Sequence, residues 1–236
     1  MKITDKLLRL IEHYKLGNAV GFCLDNSTSQ SLVYHGLSHC FHVMYHAHDA
    51  WQYTRSLEDE TLKFGMEFDD CGNTPRELLL AALFHDFDYQ SFERGKDHVN
   101  IAAARHGFDS YCKSDRIVTQ DLDVYATQRL IKDTEYPHKP LDSCLPESYS
   151  LMLCCLLDAD LFQGMIDGLM FAPIVGIKGE FQEFKSMEWN DYLKKTLDFQ
   201  SNIQFRSAWG RNVANTQRNK MLERVEKFRQ LCFGNE

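Results

Sequence analysis

Apolar positions along this 236-residue chain recur every three to four residues rather than every two. That period predicts helices over about 4–15, 37–56, 75–86, 97–112, 118–133, 146–168, 187–200 and 212–232. No run of alternating β-branched residues with a hairpin turn competes with it. The sharpest start is Thr74-Pro75-Arg76-Glu77. Threonine can cap, proline suits the first helical position, and glutamate three residues after the threonine completes a capping box. Helix breakers gather at Asp70–Asn73, Pro137–Pro146 and Ala172–Gly179. Residues 173–190 mix signals and read as an irregular excursion from a helical bundle. There is no internal repeat and no low-complexity tract. The expectation is an all-α chain forming a single helical domain over 1–236.

Composition narrows the partners. Apolar residues make up 44% and charged residues 25%, ordinary values for a globular chain that can bury a core. A net charge of -8 argues against stable nucleic-acid binding, which needs a basic surface. It leaves a nucleotide substrate open, because a bound metal supplies positive charge locally. No apolar run approaches the roughly 20 residues of a membrane helix, so no membrane partner is expected. The N-terminal stretch MKITDKLLRLIEHYKL alternates charged and apolar groups with no continuous apolar core. It reads as an amphipathic helix of the fold, not a secretion signal. The eight cysteines form no CxxC pair, and Cys154 and Cys155 sit inside an apolar run. Reduced thiols and a cytoplasmic location follow as expectations, against a disulfide framework or a zinc-thiolate site. Nothing in the sequence sets an oligomeric state.

The ten histidines are not scattered. His35, His39, His42 and His46 would lie within about 60° of one another on one helix face. Any one of them is most simply a satisfied polar side chain. A face of four favours at least one ligand or proton-transfer group. Next, Leu78–Phe84 is apolar all round and should be buried, yet it runs into His85-Asp86. Two ionisable groups at the end of a core helix are costly unless they are paired or bind metal. Imidazole and carboxylate suit borderline or hard divalent ions. The same logic applies to Asp158, which follows the apolar run Leu151–Leu157. Asp160 reads equally as a solvated turn or as part of a site.

In order, Tyr34-His35-x-x-x-His39, Phe84-His85-Asp86-x-x-Tyr89 and Asp158-Ala159-Asp160-Leu161 resemble the H…HD…D signature of the HD-domain superfamily of metal-dependent phosphohydrolases. The pattern is most similar to a bacterial group of predicted metal-dependent HD phosphohydrolases. It covers about residues 30–165, and Ile177–Phe181 is faintly similar to the same group. The C-terminal helices, about 185–232, lie beyond it. The resemblance implies an HD-type helical bundle with a metal site in its core. It implies His39, His85, Asp86 and Asp158 as ligands of a first ion. Asp86 would bridge to a second ion held by His98 and His138, and the motif order favours two ions over one. The cofactor would be one or two divalent ions, Mn, Mg, Fe, Ni or Zn. His35 falls where phosphodiesterases of the superfamily carry a proton donor, and imidazole suits that role near neutral pH.

The sequence departs from the phosphodiesterase pattern HDxDHxGxxN: it continues Phe87-Asp88-Tyr89-Gln90-Ser91 after His85-Asp86. The missing histidine argues against cyclic-nucleotide specificity. His42 stands where that family has an acid. Arg94, Lys96 and Asn100, just past the motif, could contact phosphate. The expected activity is hydrolysis of a phosphate mono- or diester in a small phosphorylated molecule, nucleotide-like in character, with His35 and Asp86 as catalytic groups. The alternatives are a binuclear-iron oxygenase with the same ligand order and a non-catalytic HD scaffold.

Overall fold

The computed structural model of the protein describes residues 3–58, 74–93, 95–114, 121–162 and 171–234. The described residues form helices joined by turns, bends and irregular stretches, with no strand. In chain order they form α1 (Ile3–His13), α2 (Gly17–Asn26), α3 (Leu37–Glu58), α4 (Arg76–Phe84), α5 (Asp97–Ser114), α6 (Val124–Asp133), α7 (Glu147–Phe162), α8 (Phe171–Glu180), α9 (Gln182–Lys185), α10 (Trp189–Ser201) and α11 (Asn215–Phe233). A π-helical turn at Gly210–Ala214 leads into α11.

At the centre is α4, whose residues Leu78 through Phe84 are all without solvent exposure. A helix apolar on every side needs neighbours on every side. Here α3, α6 and α7 supply most of them, and α3 also packs along α7. One continuous set of buried apolar side chains runs from Leu10 to Val225. The positions that carry chemistry therefore sit on, or just beyond, the ends of the most buried helices.

Two expected features change. The segment 173–190 is not irregular: α8 and α9 form there. The mixed signals came partly from Gly176, which lets the helix approach closely. A Cβ at Gly176 would come within 2.9 Å of the Tyr34 Cβ. The capping box at Thr74–Glu77 does not form either. The Thr74 hydroxyl is shared between His48 Nδ1 at 2.8 Å and the Gln52 Nε2–H at 3.0 Å. Glu77 instead accepts from the Asp123 N–H, and no side chain caps α4. Helix α2 was unforeseen, because its two glycines and two asparagines dilute the apolar period. The expected end of α7 beyond Phe162 lies outside the described residues. The described cysteines are free thiols, and burial pushes those of Cys40 and Cys155 well above the usual range. Cys71 lies outside the described residues.

Candidate metal centre

Three of the expected ligands meet. The chain bends over residues 33–36 and enters α3 at Leu37, so His39 stands in the first turn. Gly36 makes that entry possible: a Cβ there would come 2.5 Å from the Leu32 carbonyl oxygen. Helix α4 ends at Phe84, and the next two residues turn His85 and Asp86 towards His39. One donor atom from each of His39, His85 and Asp86 lies within 4.8 Å of the others, and both histidines are buried.

The fourth member is Asp160, on α7. Its Oδ1 is 2.9 Å from His39 Nε2 and 3.5 Å from His85 Nε2. The two Nε2 atoms are 3.3 Å apart, and each is 3.4 Å from Asp86 Oδ2. The His85 Nδ1–H donates to the Ala82 carbonyl at 2.8 Å. In neutral His85 the remaining nitrogen, Nε2, is therefore a lone pair facing another imidazole and two carboxylate oxygens. Electron-rich atoms converge with nothing positive between them unless a proton or a cation is present. Burial opposes charge on His85, but the Asp86 and Asp160 carboxylates prevail and raise its pKa to about 9. Burial likewise opposes charge on Asp160, yet its contacts with His39 and His85 hold it well below the usual carboxylate range. The donor set of imidazole and carboxylate fits a divalent ion of the Mn, Fe, Ni or Zn kind.

Asp158 is not part of this group. Two residues along a helix is about 200°, so Asp158 and Asp160 leave α7 on opposite sides. The Asp158 carboxylate accepts from the Arg206 N–H at 2.9 Å, the Ser207 N–H at 2.7 Å and the Ser207 hydroxyl at 2.6 Å. Ser207 Oγ in turn accepts from the Gly210 N–H. The expected ligand is thus a buried strut that anchors the start of the C-terminal helix.

The face of four histidines is also broken. Only His39, His42 and His46 lie on α3, and His35 belongs to the bend before it. His42 binds the Ser38 carbonyl through Nδ1 at 2.7 Å. His46 is buried against Phe162 and Trp209, and neither ring nitrogen has a hydrogen-bond partner among the described residues.

His35 reaches the centre differently. Its ring centroid is 6.2 Å from that of His39, and its ring stacks on Tyr89 at 3.9 Å and 13°. Its Nδ1–H donates to Glu180 Oε2 at 2.6 Å. Burial raises the Glu180 carboxyl, but hydrogen bonds from His35 and the Tyr34 N–H outweigh it and hold it below the usual range.

The remaining expected residues are not among the three donors that converge. His98 is exposed at the start of α5, with no hydrogen bond or ion pair to the cluster among the described residues. His138 is half-buried beside Tyr136; burial lowers its pKa while the Asp160 carboxylate raises it. Asp97, next to His98, accepts the Tyr136 N–H at 2.7 Å, which joins the two segments that carry these histidines. Lys96 is exposed and paired with Glu93 at 2.5 Å. Asn100 is buried and ties down the loop after the motif, bonding the Gln90 N–H, the Ser91 N–H and the Ser91 carbonyl. Arg94 lies outside the described residues. Glu180 and Asp160 are the groups that sequence reasoning undervalued. Glu180 left only the faint Ile177–Phe181 similarity as a signal. Comparison with protein-family models, curated proteins and solved structures finds no match for the chain.

Proposed function

We propose that the protein is a metal-dependent phosphoester hydrolase of HD type, acting on a small phosphorylated molecule. The observation that carries this reading is the convergence of His39 Nε2, His85 Nε2, Asp86 Oδ2 and Asp160 Oδ1. Such a set of donors, mostly buried, is favourable around a cation, with a proton on His85 the competing way to satisfy it. His39, His85, Asp86 and Asp160 would hold the ion. A divalent ion bound there lowers the pKa of a water and offsets charge on phosphoryl oxygens.

The chain's own residues do the rest. Water oxygen forms the new bond to phosphorus as the bond to the leaving oxygen breaks. Protonated His35 gives a proton to that leaving oxygen, and the proton lost by the water passes to solvent and restores His35. Tyr89 and Glu180 keep the imidazole from rotating away. Asp158 and Ser207 fix α7 to the start of the last helix, and so hold the backbone that carries Asp160.

A screen of phosphate esters, including bis-p-nitrophenyl phosphate, with added Mn, Mg, Fe, Ni or Zn tests the reading. Turnover in the wild type that is lost in His85→Ala and Asp160→Asn is expected. No turnover with any ion, or turnover that survives both substitutions, contradicts it.

A further inference from the structure

Glu180 is the last residue of α8, and it meets His35 across 145 positions of sequence. Its carboxylate is buried and both oxygens are in use. Oε1 accepts the Tyr34 N–H at 2.7 Å, and Oε2 accepts the His35 Nδ1–H at 2.6 Å. The His35 backbone N–H also faces Oε2 at 3.5 Å. The ring is enclosed by Tyr89 face to face at 3.9 Å, by the edge of Tyr34 at 4.6 Å and by Phe181 at 5.6 Å. Close docking of α8 at Gly176 against Tyr34 brings the carboxylate to this place.

We propose that Glu180 is a positioning residue that fixes His35 as its Nδ1–H tautomer and so reserves Nε2 for proton exchange with the substrate. A carboxylate only accepts, so the nitrogen 2.6 Å from it must carry hydrogen. Rotating the ring by half a turn would present a carbon to Glu180 and lose that bond. The aromatic enclosure leaves little room for any other tilt. A free histidine side chain prefers hydrogen on Nε2, so this assignment is imposed by α8. The inference rests on the hydrolase reading for its purpose, but not for its geometry.

Glu180→Gln is the discriminating variant because it keeps the shape. The Tyr34 N–H needs an acceptor and so holds the amide oxygen, which turns the amide N–H₂ towards His35 Nδ1. That nitrogen must then accept, and the ring hydrogen moves to Nε2. Long-range ¹H–¹⁵N correlation on ¹⁵N-histidine-labelled protein reads the tautomer directly. The wild type is expected to show His35 as Nδ1–H, and Glu180→Gln as Nε2–H. Against an alkyl phosphate ester turned over in the screen, whose leaving oxygen needs a proton, kcat of Glu180→Gln is expected to fall about tenfold or more, with KM and bound metal within about twofold. Glu180→Asp, shorter but still an acceptor, should keep the Nδ1–H tautomer and recover part of kcat. A wild-type Nε2–H tautomer overturns the proposal, as does an unchanged tautomer in Glu180→Gln. Where a wild type turns over no phosphate ester yet shows the tautomer switch, the hydrolase reading falls and the positioning role stands.

Discussion

Asp160 and Asp158 stand two residues apart on α7 and do opposite things: Asp160 Oδ1 lies 2.9 Å from His39 Nε2, while Asp158 accepts the Ser207 hydroxyl at 2.6 Å on the other side of the helix. The difference predicts two separable phenotypes. Asp160→Asn should fold normally and bind divalent metal at least about tenfold more weakly, measured by titration calorimetry. Asp158→Asn removes the acceptor shared by the Ser207 N–H and hydroxyl, and should cost about 1–3 kcal/mol of stability in urea with metal affinity little changed. An exchange of these outcomes would reverse the assignment of the two carboxylates.

His46 predicts a gain. Both of its ring nitrogens are buried without a hydrogen-bond partner among the described residues, and its surroundings are Phe162 and Trp209. His46→Leu keeps the volume nearly constant and removes the unsatisfied groups. It should raise stability by about 1–3 kcal/mol, seen as a higher Tm. A lower Tm would mean that the imidazole is held by a polar contact.

The same residue shapes the acid limb of stability. Burial lowers the pKa of His46 to about 3 and that of His48 to about 4, against 6.5 when exposed. Above pH 6.5 both states are neutral and neither residue matters. Below it the unfolded chain binds protons that the folded one refuses, so stability is lost as pH falls towards 4. At pH 5 the loss is about 2 kcal/mol for each histidine. Asp49 works the other way: burial raises its carboxyl to about 6, so folding takes up a proton between pH 4 and 6 and offsets about 1 kcal/mol. Urea midpoints from pH 7 to 5 should fall in the wild type and fall about a third as steeply in His46→Leu. Parallel slopes would contradict the assignment.

Gly36 predicts a loss at the centre itself. A Cβ there would press on the Leu32 carbonyl oxygen at 2.5 Å, and the chain must shift where it carries His35 and His39. Gly36→Ala should lower both stability and metal affinity, whereas Gly21→Ala, where a Cβ meets nothing within 4 Å, should lower neither. Equal effects from the two would show that the bend does not position the histidines.

Strongly periodic, glycine-poor segments were legible in the sequence. Helices α3, α4, α5 and α10 fall where the apolar spacing puts them, and the burial of Leu78–Phe84 follows from a run with no polar side. The placing of His85 and Asp86 at the end of that run was equally legible, because a core helix must surface where its apolar residues stop. The side of α7 that faces the cluster was not. Leu151–Leu157 is apolar all round, so no local pattern separates Asp158 from Asp160. The choice is made 49 residues away, where Ser207 takes Asp158. Glu180 escaped for the same reason: its partner is His35, and a contact across 145 positions leaves no period to read. Lys96 and Asn100 show the converse. Polar residues after a motif look like ligand contacts in sequence, yet one is an exposed ion pair and the other a knot in the loop.

The central claim is that His39, His85, Asp86 and Asp160 hold a divalent ion. Elemental analysis of the purified protein beside His85→Ala tests it most directly. At least one divalent ion per folded chain in the wild type, and its loss in His85→Ala with helical content retained, is the predicted result. A wild type that carries no ion after exposure to Mn, Fe, Ni and Zn, or a His85→Ala protein that carries as much as the wild type, would contradict it.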